Sequence, residues 1–383
     1  MNRLHVPILV LFLAGILSFC STPKVPAPIV TQETPPQLDI TTILTGFDII
    51  WGMDFLPGGD ILFGEKRGRL YRHSNGITTE ITGFPSVRNT GQGGLLDIRV
   101  HPDYATNGWI YASYAATGSS GSGELRVVRF KLIGNTVSGV ETIFQSGDGN
   151  TWNGHYGSRI AFDKDRMLYL SIGEGGTGSF GGPSASNRNS ADVGSNWGKI
   201  HRLTDRGAVP ADNPVLPGRT APTTVFAYGV RNPQGMLFHP ETGQLWESEH
   251  GPKGGDELNI ITKGSNYGWP FYSLGVNYNG SSISQGHTAP NITEPLFQWT
   301  PSVGTAGMAF ITDASFKTWK GNLLVGALAS QKVYRCVVDG QKVVSSTEVP
   351  GITGRVRHVA AAPDGSIYVS IESPGRLVRI RAK

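Results

Sequence analysis

One unit recurs six times along this chain, and it limits the fold more than any other feature. Each copy is an apolar strand, a turn of the Pro/Asp/Gly kind, and a second alternating strand. The copies read MDFLPGGDILFGEKRGRLYR from Met53, IRVHPDYATNGWIYASYA from Ile98 and RIAFDKDRMLYLSIGE from Arg159. They continue as MLFHPETGQLWESEHG from Met236, MAFITDASFKTWKGNLLVGAL from Met308 and HVAAAPDGSIYVSIESPGRLVRI from His358. Period-two alternation predicts that one face of each strand pair is buried. No copy can bury that face alone, and packing the copies side by side around an axis solves the problem. Six copies over about 340 residues make roughly 55 to 60 residues each, which suits four strands and their loops. The prediction is an all-β fold, a six-bladed β-propeller of four-stranded antiparallel blades over residues 39–383. A tandem of β-sandwiches would require a linker mid-chain, and the sequence has none.

The first 38 residues are different in kind. Val6 to Leu17, behind Arg3, is an apolar run too short to span a bilayer, which takes about 20 residues. It reads as the core of a signal peptide over residues 1–19. Cys20, followed by Ser21 and Thr22, predicts a bacterial lipoprotein acylated at that cysteine. Phe19 is larger than the residue usual at that position, so ordinary secretion with cleavage nearby is the alternative. Residues 20–38 are rich in proline and polar side chains, the composition of an extended tether. The expected location is outside the cytoplasm, in the periplasm or anchored at the outer membrane.

Charge chooses no macromolecular partner. The formal balance is +4, with no block of basic residues, which argues against nucleic acid. Cys20 and Cys336 are the two cysteines, so with Cys20 acylated the fold rests on its core and not on disulfides.

Candidate chemistry is densest in AYGVRNPQGMLFHPETGQLWESEHGPKGGDELNIITKGSNYGWP, from Ala227 to Pro270. Around Gly251, Pro252 and Glu257 this stretch combines carboxylates with glycines and prolines that free backbone carbonyls. Such oxygens are what a hard cation such as calcium takes. The spacing matches no EF-hand, and an acidic Gly-rich loop is more often a plain turn, so local sequence alone only suggests calcium. Polar residues also sit just before the repeated strands: Gln92, His155, Arg159, Arg231, Asn232, Gln234, Arg355 and Arg357. Equivalent positions in successive blades converge in space, which favours a ligand pocket.

Taken in order, GQGGLLDIRVHPDY, HYGSRIAFD, YGVRNPQGMLFHP, SEHGPKGGDELN, NYGWP and RVRHVAAAPDGSIYVS resemble the soluble sugar dehydrogenases that use pyrroloquinoline quinone (PQQ), the glucose/sorbosone dehydrogenase family. The resemblance runs from about Gly52 to Arg379. It implies a six-bladed propeller that oxidises the C1 hydroxyl of an aldose to a lactone, with PQQ and calcium as cofactors and an electron acceptor that stays open. PQQ carries three carboxylates and an ortho-quinone, so its pocket needs cations and a Lewis acid. By this resemblance His155 is the general base and Arg231 with Asn232 polarises the quinone oxygens. Gln92 lies on the substrate side, and Gln234, Arg355 and Arg357 join the cofactor site. Arg355 and Arg357 are two apart, so on a strand both point to one face. The carbonyls of Gly251 and Pro252 match the ligands of the cofactor's calcium, and Glu257 with the Tyr267 carbonyl resembles a second calcium site.

The chain departs from the family pattern at three places. Gly154 stands where glucose-specific members have an acid, and His250 where another member type has an amide. Ala329 and Ser330 occupy the segment that carries a PQQ-binding lysine, with Lys332 following. The departures suggest a broad-specificity aldose dehydrogenase. A calcium-dependent, lactonase-like hydrolase and a non-catalytic ligand-binding propeller are the rival readings. The hydrolase has no use for the arginine cluster.

Overall fold

The computed structural model describes residues 35–147, 149–176, 180–284 and 289–383. The signal peptide, Cys20 and most of the tether predicted from the sequence lie outside the described residues.

Among the described residues, 24 strands form six four-stranded antiparallel sheets. Blade 1 holds Ile50–Phe55, Ile61–Glu65, Leu70–Ser74 and Ile77–Ile81, and blade 2 holds Leu95–Val100, Ile110–Thr117, Gly123–Ile133 and Thr136–Gln145. Blade 3 comprises Ile160–Phe162, Leu168–Ile172, Lys199–Leu203 and Val225–Tyr228. Blade 4 comprises Pro233–Phe238, Leu245–Glu249, Asp256–Ile261 and Phe297–Trp299. Blade 5 has Thr305–Phe310, Leu323–Ala327, Val333–Asp339 and Lys342–Glu348. Blade 6 has Val356–Ala361, Ile367–Ile371 and Gly375–Ala382, and takes its fourth strand, Leu38–Phe47, from the other end of the chain. The pairing of Leu38–Phe47 with Gly375–Ala382 closes the ring, Leu38 opposite Ala382 and Phe47 opposite Gly375. The six repeated sequence units are the first and second strands of the six blades, and the first strands contact one another around the axis.

Burial differs from the expectation of one covered face. The second strands of blades 1, 3, 4, 5 and 6 are buried at every position. The reason is geometric: each blade is covered on both sides by its neighbours, so polar residues in these strands must find partners inside. Outer strands such as Lys342–Glu348 keep the exposed positions typical of a half-covered sheet. Glycine permits the closest approach between blades. A Cβ on Gly52 would lie 2.5 Å from Leu96 O, and one on Gly235 2.6 Å from Ala306 O.

The first strands also carry a shared irregularity. In five blades the register between first and second strand slips near the start, between Ile50 and Gly52, Leu95 and Asp97, Pro233 and Gly235, Thr305 and Met308, and Val356 and His358. Such bulges re-aim the extra side chain. In blades 1, 4 and 6 the extra residues are Trp51, Gln234 and Arg357, and all three line one axial cavity.

Arg159 plugs the axis below that cavity. It is almost fully buried, and its guanidinium donates to Gln234 O, Trp51 O, Arg357 O and Asp97 Oδ1 at 2.7 to 3.2 Å. Those acceptors belong to blades 4, 1, 6 and 2, so one blade 3 side chain ties five blades together.

Candidate active site

Residues that precede the first strands collect at one end of the axis. His155 sits in the loop before Ile160–Phe162 with φ of 43°, a left-handed conformation uncommon outside glycine. Its turn is held from two sides. The His155 N–H donates to Gln92 Oε1 at 2.9 Å, and Gly173 passes so close that a Cβ there would lie 2.2 Å from His155 O. The ring is 4 % exposed, and Nδ1 lies 3.0 Å from Glu174 Oε1. Glu174 Oε2 accepts from Trp269 Nε1. The Glu174 contact fixes the ring and leaves Nε2 as the nitrogen available to a ligand. Burial, followed by the field of Arg231, lowers the His155 pKa against the opposing pull of Glu174. The imidazole is therefore neutral at working pH, as a base must be.

Arg231 is 2 % exposed. Nη1 donates to His250 O at 3.1 Å and Gly251 O at 2.9 Å, and the guanidinium lies 5.0 Å from the Trp269 ring centre. Nε and Nη2 are buried with no partner among the described residues. Two idle donors on a buried cation are costly unless an anionic or strongly polar ligand takes them. Asn232 Oδ1 accepts from Gln234 Nε2 at 3.0 Å, and Gln234 Oε1 accepts from Arg357 Nη1 at 3.2 Å. These amides form a chain from Asn232, next to Arg231 in sequence, to the bulged arginine of blade 6.

The axial cavity has a volume of about 240 Å³, near the lower bound of small-molecule sites. Trp51, Lys66, Gln92, Gln234, His250, Arg355 and Arg357 supply its walls. Strand alternation predicts Arg355 and Arg357 on one face. Arg355 instead precedes the strand and Arg357 occupies the bulge. Both still converge, because Glu372 accepts from Arg355 Nε at 2.9 Å and from Arg357 Nε at 2.7 Å. Burial opposes ionisation of Glu372, but the guanidiniums, Arg357 first, hold its pKa below the usual range. Lys332 does not reach this cavity and pairs with Glu348 at 3.3 Å.

Four buried glutamates organise the site, and sequence reasoning missed them. Glu65, Glu174, Glu249 and Glu372 all lie at or just past the end of a second strand, in blades 1, 3, 4 and 6. The antiparallel return brings each back to the loop before its own first strand. Glu65 receives the Asp48 N–H, Glu174 holds His155, Glu249 receives the Arg231 and Asn232 N–H groups, and Glu372 holds both arginines. The signal was available: FGEK, IGEG, SEHG and IESP end the second strand of four repeated units.

A second, small cavity of about 10 Å³, room for about one ion or water, is lined by Arg231, Glu249, His250, Gly251, Glu257 and Tyr267. Pro252 is buried beside it but does not line it. Glu247, Glu249 and Glu257 all lie on the neighbouring second and third strands of blade 4, with Asn259 Nδ2 donating to Glu247 at 3.1 Å and Glu257 at 3.4 Å. Burial first, then mutual repulsion, raises Glu247 and Glu257 well above the usual carboxylate range, and burial pushes Glu249 up to about 7. Glu247 Oε1 has no partner among the described residues. Buried carboxylates with raised pKa and an idle oxygen suit a hard cation. Among the described residues no three metal-binding side chains converge as a preformed site, so such a cation would draw on carbonyl oxygens as well.

The family model described as Glucose / Sorbosone dehydrogenase matches residues 47–379. This chain belongs to the glucose/sorbosone dehydrogenase family. Within that family it is 34 % identical over 372 residues to aldose sugar dehydrogenase YliI of Escherichia coli, covering 95 % of this chain and 98 % of the relative. A crystal structure of a glucose dehydrogenase superposes with a TM-score of 0.84 at 34 % identity, covering 90 % of this chain and all of that one. The PQQ-bound aldose sugar dehydrogenase of Streptomyces coelicolor superposes with a TM-score of 0.73 at 28 % identity, covering 91 % and 100 %. As a glucose/sorbosone dehydrogenase the protein is an oxidoreductase. His155 and Arg231 do not line the arginine-lined cavity but adjoin it, His155 through its bond to Gln92 and Arg231 through its bond to His250 O. No helix among the described residues is long and apolar enough to cross a membrane.

Proposed function

We propose that this protein oxidises the C1 hydroxyl of aldose sugars to lactones, with PQQ in the axial cavity and calcium beside it. The observation that carries the proposal is the pairing of an oriented, neutral His155 with the two idle donors of buried Arg231. PQQ, when bound, supplies the quinone that accepts the two electrons lost from the sugar. Everything else falls to the chain. Arg355 and Arg357 offer cationic edges to carboxylates, the Trp51 ring offers an apolar face, and Gln92 faces the sugar side of His155. His155 Nε2 takes the proton of the C1 hydroxyl while Glu174 steadies the imidazolium through Nδ1. Arg231 Nε and Nη2, with the Asn232 amide, would offer donors to the quinone oxygens and bind negative charge there. The Gly251 and Pro252 carbonyls would hold the cofactor's calcium, which would supply a Lewis acid, and Glu257 with the Tyr267 carbonyl would hold a second calcium that compensates the buried glutamates.

Gly154 leaves the substrate side without an acidic side chain next to His155, which favours a broad aldose range over glucose alone. An exported protein, anchored through Cys20, would meet such sugars outside the cytoplasm. The decisive test is dye-linked aldose oxidation by purified apo-protein, with and without PQQ and calcium. Turnover that requires both is expected. No turnover combined with no PQQ binding would sink the proposal in favour of a ligand-binding or hydrolytic propeller.

A further inference from the structure

The cavity wall carries three cations, and two of them are already partnered by protein. Arg355 and Arg357 share the carboxylate of Glu372. Lys66 does not share it. Among the described residues its Nζ bonds the neutral Asn89 Oδ1 at 2.8 Å and has no carboxylate within ion-pair distance. An ammonium has three donors, so two remain. Lys66 directly follows Glu65 at the end of a second strand, and His250 directly follows Glu249 at the equivalent place in blade 4. Both line the cavity. Its placement is fixed by the backbone, because Lys66 N donates to Ile49 O and Lys66 O accepts from Leu95 N, both at 2.8 Å.

Charge gives the position its meaning. Arg355, Arg357 and Glu372 together present one net positive charge to the cavity, and Lys66 makes it two. Burial acts first to lower the Lys66 pKa, and Asp48 pulls it back up, so the site holds its charge at some cost that an anion would relieve. Position 329, where Ala stands, follows the cavity-lining Leu328, while Lys332 is engaged with Glu348.

We infer that the Lys66 ammonium is a carboxylate-binding group of the axial cavity, the cation this chain supplies from blade 1 in place of one from blade 5. The inference rests on the PQQ reading above and names one of the residues that would grip the cofactor's acidic edge. It also predicts that binding discriminates by ligand charge. A charge-assisted contact of this kind is worth about 10- to 100-fold in Kd.

The test is equilibrium titration of PQQ into calcium-loaded apo-protein, read by quenching of tryptophan fluorescence, for wild type, Lys66→Met, Lys66→Arg and Lys66→Met/Ala329→Lys. A neutral ortho-quinone without carboxylates serves as the control ligand. Lys66→Met is expected to weaken PQQ about 10- to 100-fold with an unchanged Tm and to leave the neutral quinone alone. Lys66→Arg retains binding, and Ala329→Lys restores it. If Lys66→Met binds PQQ within twofold of wild type, the inference is wrong while the cofactor reading stands. If it weakens the neutral quinone equally, Lys66 acts through packing and the inference also fails. If wild type takes up no PQQ, both readings fall together.

Discussion

Replacing Glu174 by Gln tests the link between the buried glutamates and catalysis, because the two side chains are the same size and differ in acceptors. Among the described residues the Glu174 carboxyl group, 0 % exposed, receives His155 Nδ1 at 3.0 Å and the Trp269 indole N–H. A glutamine has one oxygen to offer. If that oxygen stays with the indole, the amide NH₂ faces Nδ1, which must then accept. The ring proton moves to Nε2, and the imidazole can no longer take a proton there. If the amide turns over, His155 keeps its tautomer but two N–H donors meet at Trp269. An unsatisfied buried donor costs about 1–3 kcal/mol. Taking 2–3 kcal/mol as the penalty on the competent tautomer, kcat falls about 30- to 150-fold. KM and PQQ affinity change little, since Glu174 lines neither cavity. The assay is dye-linked aldose oxidation at saturating sugar, run from pH 5 to 9. In wild type the acid limb of the rate lies below 6.5, because burial and Arg231 lower the His155 pKa. Glu174 is the influence that raises it, so the variant's limb moves further down. A kcat within threefold of wild type, or a limb that moves up, would refute the reasoning.

Three other outcomes follow from the same geometry. Arg159→Met removes the guanidinium that five blades share and strands a buried Asp97, so stability drops by about 3–5 kcal/mol, read as a lowered Tm in calorimetry. Calcium at 100-fold above its Kd adds about 2.7 kcal/mol, roughly 4 °C in Tm for a chain this long. Glu257→Gln abolishes that increment in a thermal-shift titration, and an unchanged increment would remove Glu257 from the site. His201 is buried in blade 3 with its pKa held down to about 4 by burial, opposed by the Asn196 carbonyl. Its folded pKa is depressed, so the unfolded chain binds the extra proton below pH 6.5. Stability is full above that pH and falls by about 3 kcal/mol on the way to pH 4. His201→Gln flattens this part of the stability curve, and an equal slope in both proteins would contradict the assignment.

The fold was legible because repetition overrides local ambiguity. A single copy such as RIAFDKDRMLYLSIGE reads as any hairpin, but six copies leave few ways to bury their faces. The candidate site was half legible. His155, Arg231 and Asn232 stand before first strands and Gln234 at the start of one, where the blade geometry itself brings them together. The bulges were hidden, since they fall at the start of first strands buried on both faces, where there is little alternation for a one-residue slip to shift. They decide that Trp51, Gln234 and Arg357 turn into the cavity. The glutamates were missed because their partners lie 15 to 20 residues away around a hairpin. Glu174 then reads as one more polar residue in a Gly-rich turn. Lys66 was invisible for another reason: EKRG has the composition of a solvated turn, and only the ring of blades places it over Gln92 and Arg357.

The strand that completes blade 6 sets the order of events in the life of the molecule. Among the described strands Leu38–Phe47 comes first and its partner Gly375–Ala382 last, so the ring cannot shut until Gly375–Ala382 has been synthesised. Until then the last blade has an open edge, and Arg355 and Arg357 have no closed ring to hold them in register. Contacts this distant in sequence are slow to form and leave unpaired edges exposed to other chains. The binding site thus waits on a pairing between the two described strands that lie furthest apart in the chain, and loss of Gly375–Ala382 would leave blade 6 with an open edge.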